Sequence, residues 1–159
     1  MPHLPDHVAH TALQDFIARS FVACGMPPVD ARRAARLMTK ADLVGQDGHG
    51  VFRLPMYVRR VMAGGMNMQP RFRKLQNRKA TALIDGDNGL GHLVMRHATK
   101  LAMKKARKTG IAWVGARNSN HAGPASLYAM MPLKKDMIGV YIAVGSANHL
   151  PPWGGTEMF

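Results

Sequence analysis

Ala80-Thr81-Ala82-Leu83-Ile84-Asp85, then Gly86-Asp87-Asn88-Gly89, then the run that opens Leu90-Gly91-His92-Leu93-Val94, together decide the fold class. The first six residues are short, apolar and bounded by turn formers, which predicts a strand. The tetrapeptide after them supplies turn chemistry. Leu90, Val94, Ala98, Leu101, Ala102 and Ala106 then recur at helical spacing, so a long helix is expected from Leu90 to Thr109, with Gly110 as its stop. Ile111 to Ala116 reads as the next strand and enters the polar loop Arg117-Asn118-Ser119-Asn120-His121. Strand, helix and strand in that order make the chain α/β.

Upstream the pattern is helical. Leu13, Phe16, Ile17 and Phe21 mark a helix from Thr11 to Cys24, closed by Gly25 and by Pro27-Pro28. A second helix is expected from Asp30 to about Leu43, with Ala34, Leu37, Met38 and Ala41 inward and Arg32, Arg33, Arg36 and Lys40 outward. Gly45 to Gly50 reads as a loop, and a third helix runs through Leu54, Val58, Val61 and Met62. Pro55 is tolerable there only in the first turn, since it has no N–H to donate. From Gly64-Gly65 to Lys79 the chain reads as an irregular basic connection. Downstream, Ser126 to Met131 is helical until Pro132 disturbs it, and Ile138 to Val144 is expected to form a third strand. The expected division is a helical part over residues 1–79 and a sheet-bearing part over residues 80–159.

Composition narrows the classes. The chain has 159 residues, 47% of them apolar, enough for a sizeable core. Its longest apolar stretch, Met137 to Ala147, falls well short of the roughly 20 residues that cross a bilayer. A single cysteine, Cys24, excludes an internal disulfide and fits a reducing, cytoplasmic setting. Twenty-two Lys and Arg against nine Asp and Glu give a net charge of +13. Such an excess suits nucleic acid, an anionic surface or an anionic small molecule. The basic residues are scattered, however, and no nucleic-acid-binding motif accompanies them.

Two histidines stand in glycine-bounded polar loops, Asp47-Gly48-His49-Gly50 and Asn118-Ser119-Asn120-His121-Ala122-Gly123. Such loops concentrate catalytic groups, and histidine titrates near neutral pH. The plainer alternative is that each caps a helix or bonds a loop carbonyl. Arg53 follows His49 by about one helical turn and would suit a carboxylate, whose two oxygens its planar fork can grip, though periodicity alone favours a plain surface arginine. Gly89-Leu90-Gly91 precedes a helix, but the third glycine of a dinucleotide fingerprint is absent, so a Rossmann phosphate loop is not met. His92 and His97, five apart on a helix, lie on different faces, and no metal-ligand spacing is present.

Ala41 to Tyr57, with Gly48-His49-Gly50, Arg53 and Tyr57 inside it, resembles the hallmark segment of the malate/L-lactate dehydrogenase family that is unrelated to Rossmann-type enzymes. Asp85 to Gly91, Gly115 to Gly123 and Pro152-Trp153-Gly154-Gly155 resemble further signatures of the same family, in the same order. The resemblance implies NAD- or NADP-dependent hydride transfer between a 2-hydroxy acid and its 2-oxo acid. It implies a mixed-sheet nicotinamide-binding domain preceded by a helical subdomain, and homodimers in the full-length family. His121 would take the hydroxyl proton, with His49 beside it in the catalytic site. Arg53, Tyr57 and Gly48 would line the substrate, with Arg53 on a carboxylate. Ser146 (or Gly145), Asn120 and Gly123 would contact the nicotinamide. Gly48 replaces the family's usual serine, and Pro132 and Asp136 interrupt a helix and its glycine cap. Members are roughly double this length, so the chain is expected to be a fragment, a truncated product or a decayed copy, and inactive alone. The alternative reading is a basic helical module that binds nucleic acid or another polyanion.

Overall fold

The computed structural model describes residues 7–145 and Thr156. Three helices open the chain. Helix α1 (His10–Ala23) buries Ile17, Ala18 and Phe21, and Gly25 ends it at φ 87°, a conformation glycine adopts without strain. Pro28 begins α2 (Pro28–Leu43), where a missing N–H costs nothing. Ala31, Ala34, Ala35 and Met38 form the buried face of α2, while Leu37 is only half-buried and the four cations face water. Short alanine side chains let α2 pack closely on its neighbours. The expected loop ends in two 3₁₀ turns, Asp47–His49 and Val51–Arg53, which lead directly into α3 (Leu54–Met62). Pro55 sits in the first turn of α3, as its chemistry requires.

Among the described residues the sheet has three strands in the order β1-β2-β3. The basic connection, expected to be irregular, contains β1 (Arg73–Asn77), antiparallel to β2 (Thr81–Gly89). All five β1 residues are exposed, so Arg-Lys-Leu-Gln-Asn shows no apolar alternation to read; backbone pairing alone makes it an edge strand. Strand β2 continues through Gly86-Asp87-Asn88-Gly89, which is a distorted strand end rather than a turn. Asp87 and Asn88 take φ of 51° and 53°, and the register with β3 shifts between Asp85 and Gly89. Helix α4 (Gly91–Thr109) crosses over to β3 (Trp113–Ser119), which lies parallel to β2. The sheet is therefore mixed.

Two apolar clusters hold these layers. Ile17, Phe21, Ala34, Met38, Leu54 and Tyr57 pack with Leu90 and Leu93 from the start of α4. Ile84, Val94 and Ala98 form the second cluster, between α4 and the sheet. Each fully buried large side chain contributes on the order of 1.5–3 kcal/mol of burial energy. Helix α4 thus belongs to both cores, and its first turn lies where helices and sheet meet.

After α5 (Ser126–Ala129), Pro132 starts a separate 3₁₀ turn, Pro132–Lys135, and Asp136 takes φ 56° where a glycine would be at ease. The strand expected over Ile138 to Val144 does not form. A strand needs a ladder, and among the described residues none pairs with this segment. It docks on α5 instead: Tyr141 stacks on Tyr128 at 5.2 Å, and Gly139 lies so close to Ala129 that a Cβ would come within 2.2 Å of its carbonyl oxygen. Ile138, Val140, Ile142 and Val144 face water.

Candidate active site

The site is assembled from two loops and the first turns of two helices. The Asp42 carboxylate, near the end of α2, accepts the Val51 N–H at 3.0 Å. That approach is open only because residue 50 is glycine: a Cβ there would lie 1.7 Å from Asp42 Oδ1. Burial raises the Asp42 pKa, partly opposed by the Val51 hydrogen bond, with Asp47 adding repulsion. Arg53 Nε donates to the Gly48 carbonyl at 2.7 Å, which closes the turn that carries His49. Gly48 itself borders open space, with nothing within 4 Å of where a Cβ would stand. The Ser126 hydroxyl donates to Gln46 Oε1 at 2.9 Å and ties this loop to α5.

The second loop is placed by the ends of β2 and β3. Asp85, 4% exposed, accepts from the Asp87 N–H at 2.8 Å and from Asn118 Nδ2 at 3.1 Å, with Arg73 and Arg117 nearby. Those hydrogen bonds hold its carboxyl below the ordinary value. Asn120 Nδ2 donates to Asn88 and Gly89 acceptors at 2.8–3.1 Å, so its amide nitrogen is spent inside the protein. Gly91 has a packing reason: a Cβ there would lie 2.1 Å from the Asn120 carbonyl oxygen and 2.6 Å from the His121 backbone. The loop can cross the start of α4 only over a glycine.

Together these constraints bring His49, Arg53, Tyr57 and His121 to one place. The Tyr57 hydroxyl lies 2.7 Å from His121 Nδ1. His49 stacks on His121 with ring centroids 5.5 Å apart. The Gly123 N–H approaches the same Nδ1 at 3.4 Å. An amide can only donate, so this geometry makes Nδ1 an acceptor and puts the neutral ring's proton on Nε2. Partial desolvation lowers the His121 pKa, and the Arg53 and His49 charges lower it further. Burial pushes the Tyr57 phenol well above its ordinary value, with Arg53 opposing, so it stays protonated. Among the described residues, the His121 ring makes no bond to a loop carbonyl, the plainer alternative.

Of the remaining expected positions, Asn120 and Gly123 flank His121, and Ser146 lies outside the described residues, as does Pro152 to Gly155. Sequence reading missed His92. It is fully buried on the first turn of α4, sits edge-to-face with Tyr57 at 5.8 Å, and burial depresses its pKa to about 3. The available signal was a histidine where the glycine fingerprint broke off. Among the described residues, no group of three or more histidine, cysteine or acidic side chains is placed to hold a metal.

The mixed α/β chain thus gathers two loop histidines and an arginine around a buried tyrosine. The profile of the malate/L-lactate dehydrogenase family matches residues 8–159, and the chain belongs to that family. It is 44% identical over 145 residues to the malate dehydrogenase of Pyrococcus horikoshii, covering 91% of this chain and 40% of that one. The solved structure of that enzyme superposes with a TM-score of 0.78 over 80% of this chain and 37% of its own. Sulfolactate dehydrogenase from Methanocaldococcus jannaschii superposes with a TM-score of 0.80 at 35% identity, over 82% of this chain and 38% of its own. The helical start and the small mixed sheet are the fold of these dehydrogenases. The chain spans about 40% of the length of the curated relatives it matches.

Proposed function

We propose that the chain carries the proton-transfer and carboxylate-binding part of a 2-hydroxy-acid dehydrogenase that uses NAD or NADP. The observation that supports this most is the convergence on His121: Tyr57 on Nδ1, the His49 ring stacked against it, and the Arg53 guanidinium acting on it. The Arg53 guanidinium acting on the ring gives the space in front of the imidazole a positive partner for an anionic substrate. Arg53 takes the substrate carboxylate, and Nε2 of His121 meets the oxygen on C2.

The lowered pKa keeps His121 neutral at neutral pH, as a base must be. In the oxidative direction the ring needs its Nε2 lone pair. That requires the ring proton to exchange from Nε2 to Nδ1, with the Tyr57 hydroxyl rotating from donor to acceptor and the Gly123 N–H giving way. Nε2 then takes a proton from the substrate hydroxyl. In the reductive direction the imidazolium returns that proton to the 2-oxo oxygen. A nicotinamide, when bound, supplies the hydride acceptor or donor. Asn120, Gly123 and Ser146 are the positions proposed to hold it. Asn120 fits that role through its side-chain Oδ1, which has no protein donor among the described residues and can accept from a carboxamide NH2. A homodimer is proposed as the working assembly. The polyanion-module alternative has no support in the relatives above, which are dehydrogenases.

The test joins this chain to the C-terminal remainder of the Pyrococcus horikoshii malate dehydrogenase and assays it, beside the chain alone, with NADH and NADPH on oxaloacetate and other 2-oxo acids. Reduction by the joined protein, lost on His121→Ala, is the expected result. A folded joined protein without turnover, or one that keeps full turnover after His121→Ala, overturns the reading.

A further inference from the structure

His92 touches both groups that His121 Nδ1 meets. Its ring stands edge-to-face against Tyr57, at 82° and 5.8 Å. Its Nε2 lies 2.6 Å from where a Cβ on residue 123 would be, so the imidazole is seated directly against the Gly123 backbone. Gly123 meets it at φ 72°, a backbone conformation that glycine permits. The side chain is fully buried, and neither ring nitrogen has a protein partner among the described residues. Burying a polar ring without protein partners is costly, and an apolar side chain of similar size would fill the space more cheaply.

We propose that His92 is a positioning residue for His121, an uncharged imidazole wedged between the Tyr57 ring and Gly123 that fixes the two groups facing Nδ1. The inference rests on the reading of His121 as the acid–base residue. The Gly123 N–H cannot rotate as a hydroxyl can, so while it is held in place it opposes a proton on Nδ1. Release of Gly123 therefore makes His121 easier to protonate. The ionisable groups around His121 are Arg53 and His49 in its own electrostatic surroundings, Tyr57 on α3, and His92 on α4. A charged His92 would stand beside His121 and His49, and burial keeps it neutral.

The experiment follows the imidazole nitrogens of the 159-residue chain by 15N NMR across pH, in the wild type and in His92→Ala, His92→Leu and Leu101→Ala. Wild-type His121 should show the Nε2–H tautomer and a low midpoint. His92→Ala should mix the tautomers and raise the midpoint by about half a unit or more, roughly threefold in proton affinity. His92→Leu keeps most of the volume but loses the flat ring edge against Tyr57. It should shift His121 in the same direction by less than His92→Ala, and wild-type behaviour in His92→Leu would reduce His92 to packing. Leu101→Ala opens space on the same helix against the other core and should leave His121 unmoved. A folded His92→Ala chain with wild-type tautomer and midpoint overturns the proposal, and so does an equal shift in Leu101→Ala. If His92→Ala does not fold, the smaller polar change His92→Asn carries the same expectation and the same refutation. The readout needs neither substrate nor nicotinamide. A His92-dependent midpoint in a joined protein that shows no turnover would therefore sink the dehydrogenase reading while leaving the physical coupling of His92 to His121 standing.

Discussion

The Tyr57 hydroxyl and His121 Nδ1, 64 residues apart in the chain, meet at 2.7 Å. One group comes from the helical part and the other from the loop after β3, so the contact exists only when both parts are folded against α4. Tyr57 is fully buried in the helical core, which leaves its hydroxyl little freedom other than rotation about the ring bond.

The pair should act as a unit in catalysis. In the joined enzyme, His121→Ala should cost on the order of 100-fold or more in kcat. Tyr57→Phe should cost less. Because the tyrosine works through the histidine, the double variant should match His121→Ala alone rather than the product of the two losses. Steady-state kinetics on the four proteins check this, and multiplicative losses would show that Tyr57 has a separate role.

Arg53 should affect binding more than turnover. Arg53→Ala removes the planar fork proposed to hold the carboxylate and should raise KM by about 10-fold or more. Arg53→Lys should recover part of the loss, since a lysine keeps the charge without the paired donors. A fall in kcat at unchanged KM would argue that Arg53 serves the Gly48 turn instead.

Two neighbouring glycine positions should respond in opposite ways. Gly48 faces open space, so Gly48→Ser should leave the melting temperature nearly unchanged, within about 0.5 kcal/mol in stability, and should raise kcat/KM if the family's hydroxyl orients substrate. At Gly50 a Cβ would occupy the space of the Asp42 carboxylate, so Gly50→Ala should destabilise the chain by roughly 2–4 kcal/mol. Thermal melts of the two variants decide the contrast.

Acid should destabilise the fold early. His92 titrates at its ordinary 6.5 in the unfolded chain and at about 3 in the folded one. Its neutral burial therefore gives stability that is complete above pH 6.5 and is lost as the pH falls towards 3, at up to about 1.4 kcal/mol per unit. His97 and His121, also held below their ordinary value, act with the same sign. Denaturant titrations at pH 7, 6, 5 and 4 should show this slope in the wild type and a shallower one in His92→Gln. Equal slopes would refute a neutral buried His92.

The helices were legible because their apolar residues repeat with a stiff period and their ends carry Gly25, Pro28 and Gly110. Strand β1 was not, since an edge strand with no buried side chain is held by backbone bonds that leave no pattern in the side chains. Ile138 to Val144 misled in the opposite sense: the β-branched alternation is present, but among the described residues no strand pairs with it. At the site, His49, Arg53 and His121 could be named from local motifs. His92 could not, because what singles it out is contact with Tyr57 and Gly123, and contacts at long sequence separation have no local spelling.

The outward row of Ile138, Val140, Ile142 and Val144, exposed by 70% or more, sits on a chain of net charge +13. At low ionic strength, mutual repulsion keeps such molecules apart. Added salt shortens the screening length to about 10 Å at 0.1 M and removes that barrier while the sticky row remains. The colloidal behaviour of the chain should therefore run opposite to ordinary salting-in. Light scattering from a fixed protein concentration should rise with sodium chloride, and a lysine at Val140 should flatten the curve by interrupting the row.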